Sequence, residues 1–197
     1  PQDKIHAWAY WPPSLKPDPG NAPSQPGIGE IWLDAQFQKV EGKEKPGAII
    51  VINASNWQII KTITEETLNN PHNIWPIKNV TNMLQTNWFA EYVSVFDSGS
   101  GRLVDNIRVG ESPAHVMTSP DGKEAYVTVQ GEDEIAIIDT ETLSVKGKVG
   151  MPHSTHGHWL DEKGERMAVA ITDLPGRLIV LEKKGGVVSF HGPEEEK

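Results

Sequence analysis

The sequence predicts an all-β protein, a β-propeller of four-stranded antiparallel blades with about four blades in this chain. Two observations predict this fold. Short β-branched runs alternate with polar turns along most of the chain, and there is almost no helical periodicity. Each run ends in an acidic or amide residue, and these residues follow one another at intervals of 44, 42 and 43 positions: Asn53, Asp97, Asp139 and Glu182. One propeller blade takes roughly 40–45 residues, so the interval indicates one blade per unit.

Each unit joins such a run to a second short strand across a polar turn. The second unit is the least regular, because Asn82–Asn87 is poor in strand-forming residues and a helical turn is predicted at Asn79–Leu84. The four pairs are Ile49–Asn53 with Trp57–Ile63, Val93–Asp97 with Arg102–Val109, Ile135–Asp139 with Leu143–Val149, and Leu178–Glu182 with Gly186–Phe190.

The third unit shows the blade pattern most clearly. Its Ser119-Pro-Asp-Gly122 segment predicts a tight turn, because proline fixes φ at the second position and glycine accepts a positive φ. The segments Ala125–Gln130 and Glu134–Asp139 flank a Gly131-Glu-Asp turn, which predicts a hairpin.

Specific motifs in this unit resemble a known repeat family. Ser119-Pro-Asp-Gly122, Tyr126-Val-Thr128 and Ile135-Ala-Ile-Ile-Asp139 resemble the YVTN family of β-propeller repeats, and the resemblance covers about residues 29–190. That family is distantly similar to the haem d1 propeller of cytochrome cd1 nitrite reductase and to the nitrous oxide reductase propeller. The resemblance implies a propeller in which axial histidines hold a copper cluster or a haem. No axial ligand motif of either enzyme matches this sequence residue by residue.

The predicted organisation has three parts. Residues 1–28 form an arm rich in proline and tryptophan, in which Trp8 and Trp11 are candidate interface residues. The blades cover about 29–64, 72–110, 113–150 and 155–190, and an acidic tail covers 191–197. Six to eight blades are the usual number, so we expect the propeller to be incomplete here. Other protein chains, a second copy or further sequence would then complete it, although closure of four blades remains an alternative.

Composition excludes several classes of function. The formal net charge is −9 and no cluster of lysine and arginine is present, which argues against nucleic acid as a partner. The absence of cysteine excludes disulfides, cysteine-bound zinc and iron–sulfur clusters within this sequence. No apolar stretch is long enough for a transmembrane segment. No motif of a serine hydrolase, phosphate-binding loop or zinc protease is present, so no catalytic residue is predicted.

The histidines are the candidate metal ligands. His72 and His156 fall on the same position of their blades, and each starts a strand expected to face the propeller axis. His158 lies two residues after His156, so strand alternation places both on one face. His115 and His153 are the remaining candidates near blade starts. Neutral imidazoles in such a position bind copper, zinc or haem iron.

Two interpretations of these histidines stay open at this point. In the first, they are structural residues that hydrogen-bond the backbone of a neighbouring blade, and the chain is an exported or cell-surface binding and assembly module of a larger complex. In the second, they form a copper or haem site on the axis of a redox protein, or of half of one. An enzyme of this kind would be a metal-dependent oxidoreductase. Both interpretations predict an extracytoplasmic location.

Overall fold

The computed structural model describes residues 5–7, 29–40, 43–77, 80–173, 176–184 and 187–190. Over these residues the chain forms four antiparallel sheets of four strands and one two-stranded sheet, which confirms the predicted propeller blades. The strands are β1 (Ile5–Ala7), β2 (Glu30–Ala35), β3 (Gln38–Val40), β4 (Lys43–Lys45), β5 (Ala48–Asn53), β6 (Ile59–Ile63), β7 (Pro71–Pro76), β8 (Asn82–Asn87), β9 (Tyr92–Asp97), β10 (Leu103–Arg108), β11 (Pro113–Thr118), β12 (Glu124–Val129), β13 (Glu134–Asp139), β14 (Ser144–Gly150), β15 (Thr155–Leu160), β16 (Arg166–Ile171), β17 (Arg177–Lys184) and β18 (Val187–Phe190).

Each four-stranded sheet is one blade, and its strands follow chain order. Blade 1 has the order β1-β2-β5-β6, and blades 2, 3 and 4 are β7–β10, β11–β14 and β15–β18. The first strands of neighbouring blades contact each other, β7 with β11 and β11 with β15. The first strand of each blade is therefore its innermost strand, as propeller geometry requires.

The turn predicted in the third unit is present. The amide of Gly122 donates a hydrogen bond to the carbonyl of Ser119 at 2.8 Å, and Gly122 has a φ of 72°. A residue with a side chain is disfavoured at that φ, which explains the glycine. The turn joins β11 to β12 and sets the pairing of Met117 with Tyr126.

The first strand of blade 1 lies within the segment predicted as an arm. β1 pairs with β2 from Ile5 opposite Ala35 to Ala7 opposite Leu33, so blade 1 begins well before residue 29. Three residues are too few to give a periodic pattern in the sequence. The edge of β2, rather than local propensity, defines this strand.

β8 forms where the sequence predicts a helical turn and weak strand propensity. Its polar side chains are buried but hydrogen-bonded: Gln85 Nε2 donates to the carbonyl of Asn73 at 3.1 Å, and Asn87 Nδ2 donates to Ser94 Oγ at 2.9 Å. Buried amides that find partners in this way cost little free energy. Pairing with β7 and β9 thus overrides the composition of Asn82–Asn87.

The core consists of apolar layers between successive blades. Each fully buried aliphatic side chain in such a layer contributes about 1.5–3 kcal/mol. The layer between blades 1 and 2 includes Trp32, Ile49, Val51, Met83 and Phe96. The layer between blades 2 and 3 includes Leu84, Val93, Val95, Val127, Ala136 and Ile138. The layer between blades 3 and 4 includes Tyr126, Ile135, Met167, Val169, Ile179 and Leu181.

Among the residues that the structure describes, no helix has the length and apolar character needed to span a membrane.

Candidate metal centre

Three histidines from the innermost strands of blades 2, 3 and 4 converge on one point. His72 lies on β7, His115 on β11 and His156 on β15. One imidazole nitrogen of each lies within 4.8 Å of those of the other two. The ring centroids are 4.9 to 5.2 Å apart. His72 is buried, and the other two rings belong to half-buried residues.

All three strands are entered through the same backbone conformation. Asn70, Ser112 and Ser154 precede the strands and have φ values of 54°, 56° and 66°. This left-handed region is uncommon for residues other than glycine. The carbonyl of each accepts a hydrogen bond from the residue after the second strand of its blade, as Asn70 does from the amide of Trp88 at 2.9 Å. These bonds fix where each innermost strand starts.

A β-bulge lies near the start of each of these three strands, at the histidines. In the blade alignment His115 lies one residue beyond the position of His72 and His156. The pairing of β11 with β12 shifts register between Pro113 and Val116, and corresponding shifts occur at the start of β7 and β15. Bulges commonly re-aim a side chain beside a functional site.

One pair of imidazole nitrogens lies at hydrogen-bonding distance, which is also the separation expected of two ligands on one metal ion. The Nε2 atoms of His72 and His156 are 3.4 Å apart. Two nitrogens on one tetrahedral ion, with bonds of about 2.0–2.1 Å, lie roughly 3.3 Å apart. A haem iron would take at most two protein ligands, so a third converging histidine exceeds what it could bind. The donor set therefore favours an ion over haem.

Gln36 and Trp88 hold the ring of His72. Gln36 is buried, and its Nε2 lies 3.1 Å from Nδ1 of His72. The indole of Trp88 stacks on the same imidazole with centroids 4.4 Å apart, and its edge meets His156 at 5.6 Å. Trp88 Nε1 donates to Oε1 of Gln130 at 3.0 Å, which fixes the indole. Metal-binding histidines usually donate from the second ring nitrogen to an acceptor, a role that the amide oxygen of Gln36 fills when the amide is rotated by 180°.

Two exposed aromatic side chains extend from this cluster to the surface. Phe89 lies 6.2 Å from Trp88, and Phe37 lies 6.1 Å from Phe89, measured between ring centroids. Both phenylalanines are exposed. The three rings form an apolar rim on one side of the histidine cluster.

His158, a predicted ligand, lies outside the cluster. It is opposite Val169 in the β15–β16 pairing, so it faces the layer between blades 3 and 4. Its blade position is held by Ile74 in blade 2 and Val116 in blade 3. Both ring nitrogens are buried without a hydrogen bond of normal geometry to the described residues. Desolvation lowers the pKa of His158 to about 4, although the backbone of Tyr126 opposes this shift.

His153, another predicted ligand, is exposed on the turn before β15. Its Nδ1 is 3.0 Å from Oδ2 of Asp133. The hydrogen bond and the charge of Asp133 raise the pKa of His153. The structure thus joins His72, His115 and His156 and leaves His153 and His158 apart. The candidate interface residues Trp8 and Trp11 lie outside the described residues.

Sequence reasoning did not find Gln36 and Trp88. Both directly follow the second strand of their blade, and Gln130 holds the same position in blade 3. A blade alignment extended beyond the strand ends would have brought these three together. The contact of each with the axis depends on the inter-blade geometry, which no local pattern encodes.

Comparison with solved structures supports the fold. Hydrazine synthase from Kuenenia stuttgartiensis has a TM-score of 0.70 at 18% identity, over 83% of this chain and 45% of that chain. The periplasmic gluconolactonase PpgL of Pseudomonas aeruginosa has a TM-score of 0.66 at 14% identity, over 89% and 57%. Dihydro-heme d1 dehydrogenase NirN, in complex with DHE, has a TM-score of 0.60 at 14% identity, over 84% and 43%.

These similarities establish a propeller fold and no more, because sequence identity is low. The chain spans about half the length of each of the three structures. The sequence matches no protein-family model and no curated protein. The resemblance to YVTN repeats therefore stays a prediction.

Proposed function

We propose that this chain is part of a β-propeller that binds a transition-metal ion through His72, His115 and His156. The observation that carries this proposal is the convergence of three imidazole nitrogens, from three different blades, within 4.8 Å of one another. Side chains so far apart in the sequence do not cluster in this way through local structure. The contact of Gln36 with Nδ1 and the stacked Trp88 support the proposal, because they hold the ring of His72 in one orientation.

Copper is the ion we propose first. Imidazole suits copper, zinc, iron and nickel, and among divalent first-row ions Cu²⁺ binds a given nitrogen site most tightly. Bound copper would supply one-electron redox chemistry at this site. Three protein ligands is also the number in catalytic zinc centres, which keep a fourth position for water or substrate. A metal-dependent oxidoreductase is the enzyme class that fits these features.

Titration with Cu²⁺ and Zn²⁺ tests the proposal. We expect one ion per chain, with quenching of Trp88 fluorescence by Cu²⁺ because the indole stacks on a ligand. Replacing His72, His115 or His156 by alanine should weaken binding by more than the roughly 10–100-fold that loss of an outer-shell partner costs. His153→Ala is the matched control, since its imidazole is exposed and paired with Asp133. Equal binding by His156→Ala and His153→Ala would refute the site.

An assembly role is the second candidate function, and a separate observation favours it. The outward face of blade 4 carries exposed apolar side chains, including Trp159, Leu178 and Val180. Such faces mark protein interaction sites in soluble proteins. In this role, further blades from another chain or from a second copy complete the propeller. The number of blades in the native particle tests it.

An extracytoplasmic location is part of the proposal. It is supported by one structural neighbour, which is a periplasmic enzyme by name. Fractionation of cells that make the native protein would test the location, and recovery in the cytosol would contradict it.

A further inference from the structure

Every blade interface in the molecule is built from the same two faces. We call the face that a blade turns toward the next blade in the chain its forward face, and the opposite one its rear face. The forward face of blade 3 carries Tyr126, Ile135 and Ile137. The rear face of blade 4 that covers it carries Met167, Val169, Ile179 and Leu181.

The forward face of blade 4 repeats the forward face of blade 3, but none of the described residues packs over it as blade 4 packs over blade 3. Glu124 pairs with Asp139 in blade 3 and Arg166 pairs with Glu182 in blade 4, and these pairs align the two sheets. Ala168, Leu178 and Val180 then fall on the positions of Tyr126, Ile135 and Ile137. Leu178 is 68% exposed, whereas Ile135 is 1% exposed.

Trp159 extends this face along the innermost strand, where its ring also meets that of Trp75 in blade 2 with centroids 6.1 Å apart. It lies opposite Ala168 in the pairing of β15 with β16, and Ala168 lies opposite Val180 in the next pairing. Residues opposite each other share one face of a sheet, so the three side chains form a row across blade 4. Trp159 is 60% exposed, while Met117 at the same position of blade 3 is buried.

The rear face of blade 1 resembles in composition the rear face of blade 4, which packs against blade 3. Glu30 pairs with Asn53 at the end of β2, just as Arg166 pairs with Glu182. Four aliphatic residues of blade 1 thereby fall on the positions of Met167, Val169, Ile179 and Leu181. All four are half-buried: Ile31, Leu33, Ile50 and Ile52.

We propose that these two faces are the halves of one interface and that a second copy of this chain occupies them. The forward face of blade 4 packs on the rear face of blade 1 of the other copy, and the reciprocal contact closes an eight-bladed ring with twofold symmetry. This deepens the assembly role proposed above and rests on it, but it is independent of the metal site. Eight blades lie within the range that propellers adopt.

The two free faces use the same strand positions as the existing blade interfaces. A further blade is therefore the expected partner of each face. Three successive blade contacts in the chain use these same strand positions and have apolar side chains on both sides, and the contact of blade 3 with blade 4 adds an ion pair between Glu124 and Lys183. At the matched positions the two free faces contain aliphatic and aromatic side chains, and the ion pair of Arg166 with Glu182 lies beside them on the forward face. Each face therefore finds its complement on a second copy.

The mass of the full chain in solution tests this inference. Light scattering during gel filtration should give about 43 kDa, twice the 21.7 kDa of one chain. Leu178→Lys alters only the forward face and Ile50→Glu only the rear face. Each should raise the dimer dissociation constant by roughly 100-fold or more, because closure would bury an unpaired charge. Val104→Lys, at an exposed position of β10 away from both faces, is the matched control.

Mixing the two variants provides a second readout. One interface of the mixed pair joins two unaltered faces, so the mixture should form a dimer that neither variant forms alone. Circular dichroism would show that each variant is folded. A monomer of 22 kDa for the parent chain would overturn the inference, whether blade 4 closes on blade 1 of the same chain or binds a different protein. Open-ended oligomers would overturn it too, while metal titration of the same samples reports separately on the histidine site.

Discussion

At the scale of single residues, the orientation of His72 depends on Gln36. The Gln36 amide is assigned with Nε2 toward Nδ1 of His72. An amide can rotate and present its oxygen to a protonated Nδ1, which leaves the lone pair of Nε2 directed toward His156. In that state Gln36 fixes the tautomer that a metal ligand requires.

Removing this contact should weaken the metal site without removing a ligand. We expect Gln36→Leu to lower metal affinity about 10–100-fold. Gln36→Glu should bind at least as tightly as the parent, because a carboxylate accepts the Nδ1 proton. Competition titration with a chelator measures both constants. Unchanged affinity in the leucine variant would show that Gln36 plays no part in the site.

A change at His158 should affect stability rather than metal binding, because His158 lies between blades at a position that is aliphatic in blades 2 and 3. His158→Val should raise the free energy of unfolding by about 1–3 kcal/mol, since two buried nitrogens without hydrogen bonds are removed. Metal affinity should not change. Urea denaturation and metal titration of the same variant test both statements, and a loss of metal binding would place His158 in the site.

At the scale of elements, one threonine joins blade 2 to blade 3 and another joins blade 3 to blade 4. Thr86 Oγ1 accepts from the amide of Asn73 at 3.0 Å and donates to the carbonyl of Ala114 in the next blade at 2.7 Å. Thr128 makes the corresponding bonds to His115 and His156. These bonds hold the innermost strands that carry the histidines.

Blade 1 carries Asp34 at the corresponding position, opposite His6 in the pairing of β1 with β2. The side chain is fully buried, and desolvation raises its pKa to about 7, although its own backbone and Gln85 oppose the shift. The unfolded chain titrates near 3.8. The folded state thus binds more protons between these two values, and stability falls as pH rises from about 4 through 7.

Asp34→Thr should therefore stabilise the protein, and more so at alkaline pH. Between pH 5 and pH 8 the penalty of the buried carboxylate grows by about 2–3 kcal/mol, which the variant removes. Chemical denaturation at both pH values measures the difference. A stability gain that is the same at pH 5 and pH 8 would contradict the assigned titration.

These elements also show which features of the fold and of the histidine site could be predicted from the sequence. The interval between Asn53, Asp97, Asp139 and Glu182 predicts the blades because each blade repeats one hydrogen-bonded unit. The shared position of His72 and His156 follows from the same repeat. The direction of His115 could not be predicted, because it lies one position beyond His72 and His156 and its contact with them depends on how the innermost strands pack.

At the scale of the whole molecule, a bound ion would join three blades. His72 and His156 are separated by 84 residues, and His115 lies on the blade between them. Binding to the folded state alone stabilises by about 2.7 kcal/mol when free metal is 100 times the dissociation constant. The net charge of −9 also favours the approach of cations.

The melting temperature should show whether a bound ion joins the three blades. Zn²⁺, which is not redox-active, should raise the melting temperature of the parent chain and of His153→Ala. It should have little effect on His115→Ala, which lacks the middle ligand. An equal rise in melting temperature for His153→Ala and His115→Ala would show that the stabilising ion binds elsewhere.

Electron paramagnetic resonance of the protein with one equivalent of Cu²⁺ tests the central claim most directly, because coupling to nitrogen counts the imidazoles on the ion. Selective ¹⁵N labelling of histidine identifies their contribution to the spectrum. We predict three coupled imidazoles in the parent chain and in His153→Ala, and two in His156→Ala. A spectrum with one imidazole or none in the parent chain would contradict a metal centre formed by His72, His115 and His156.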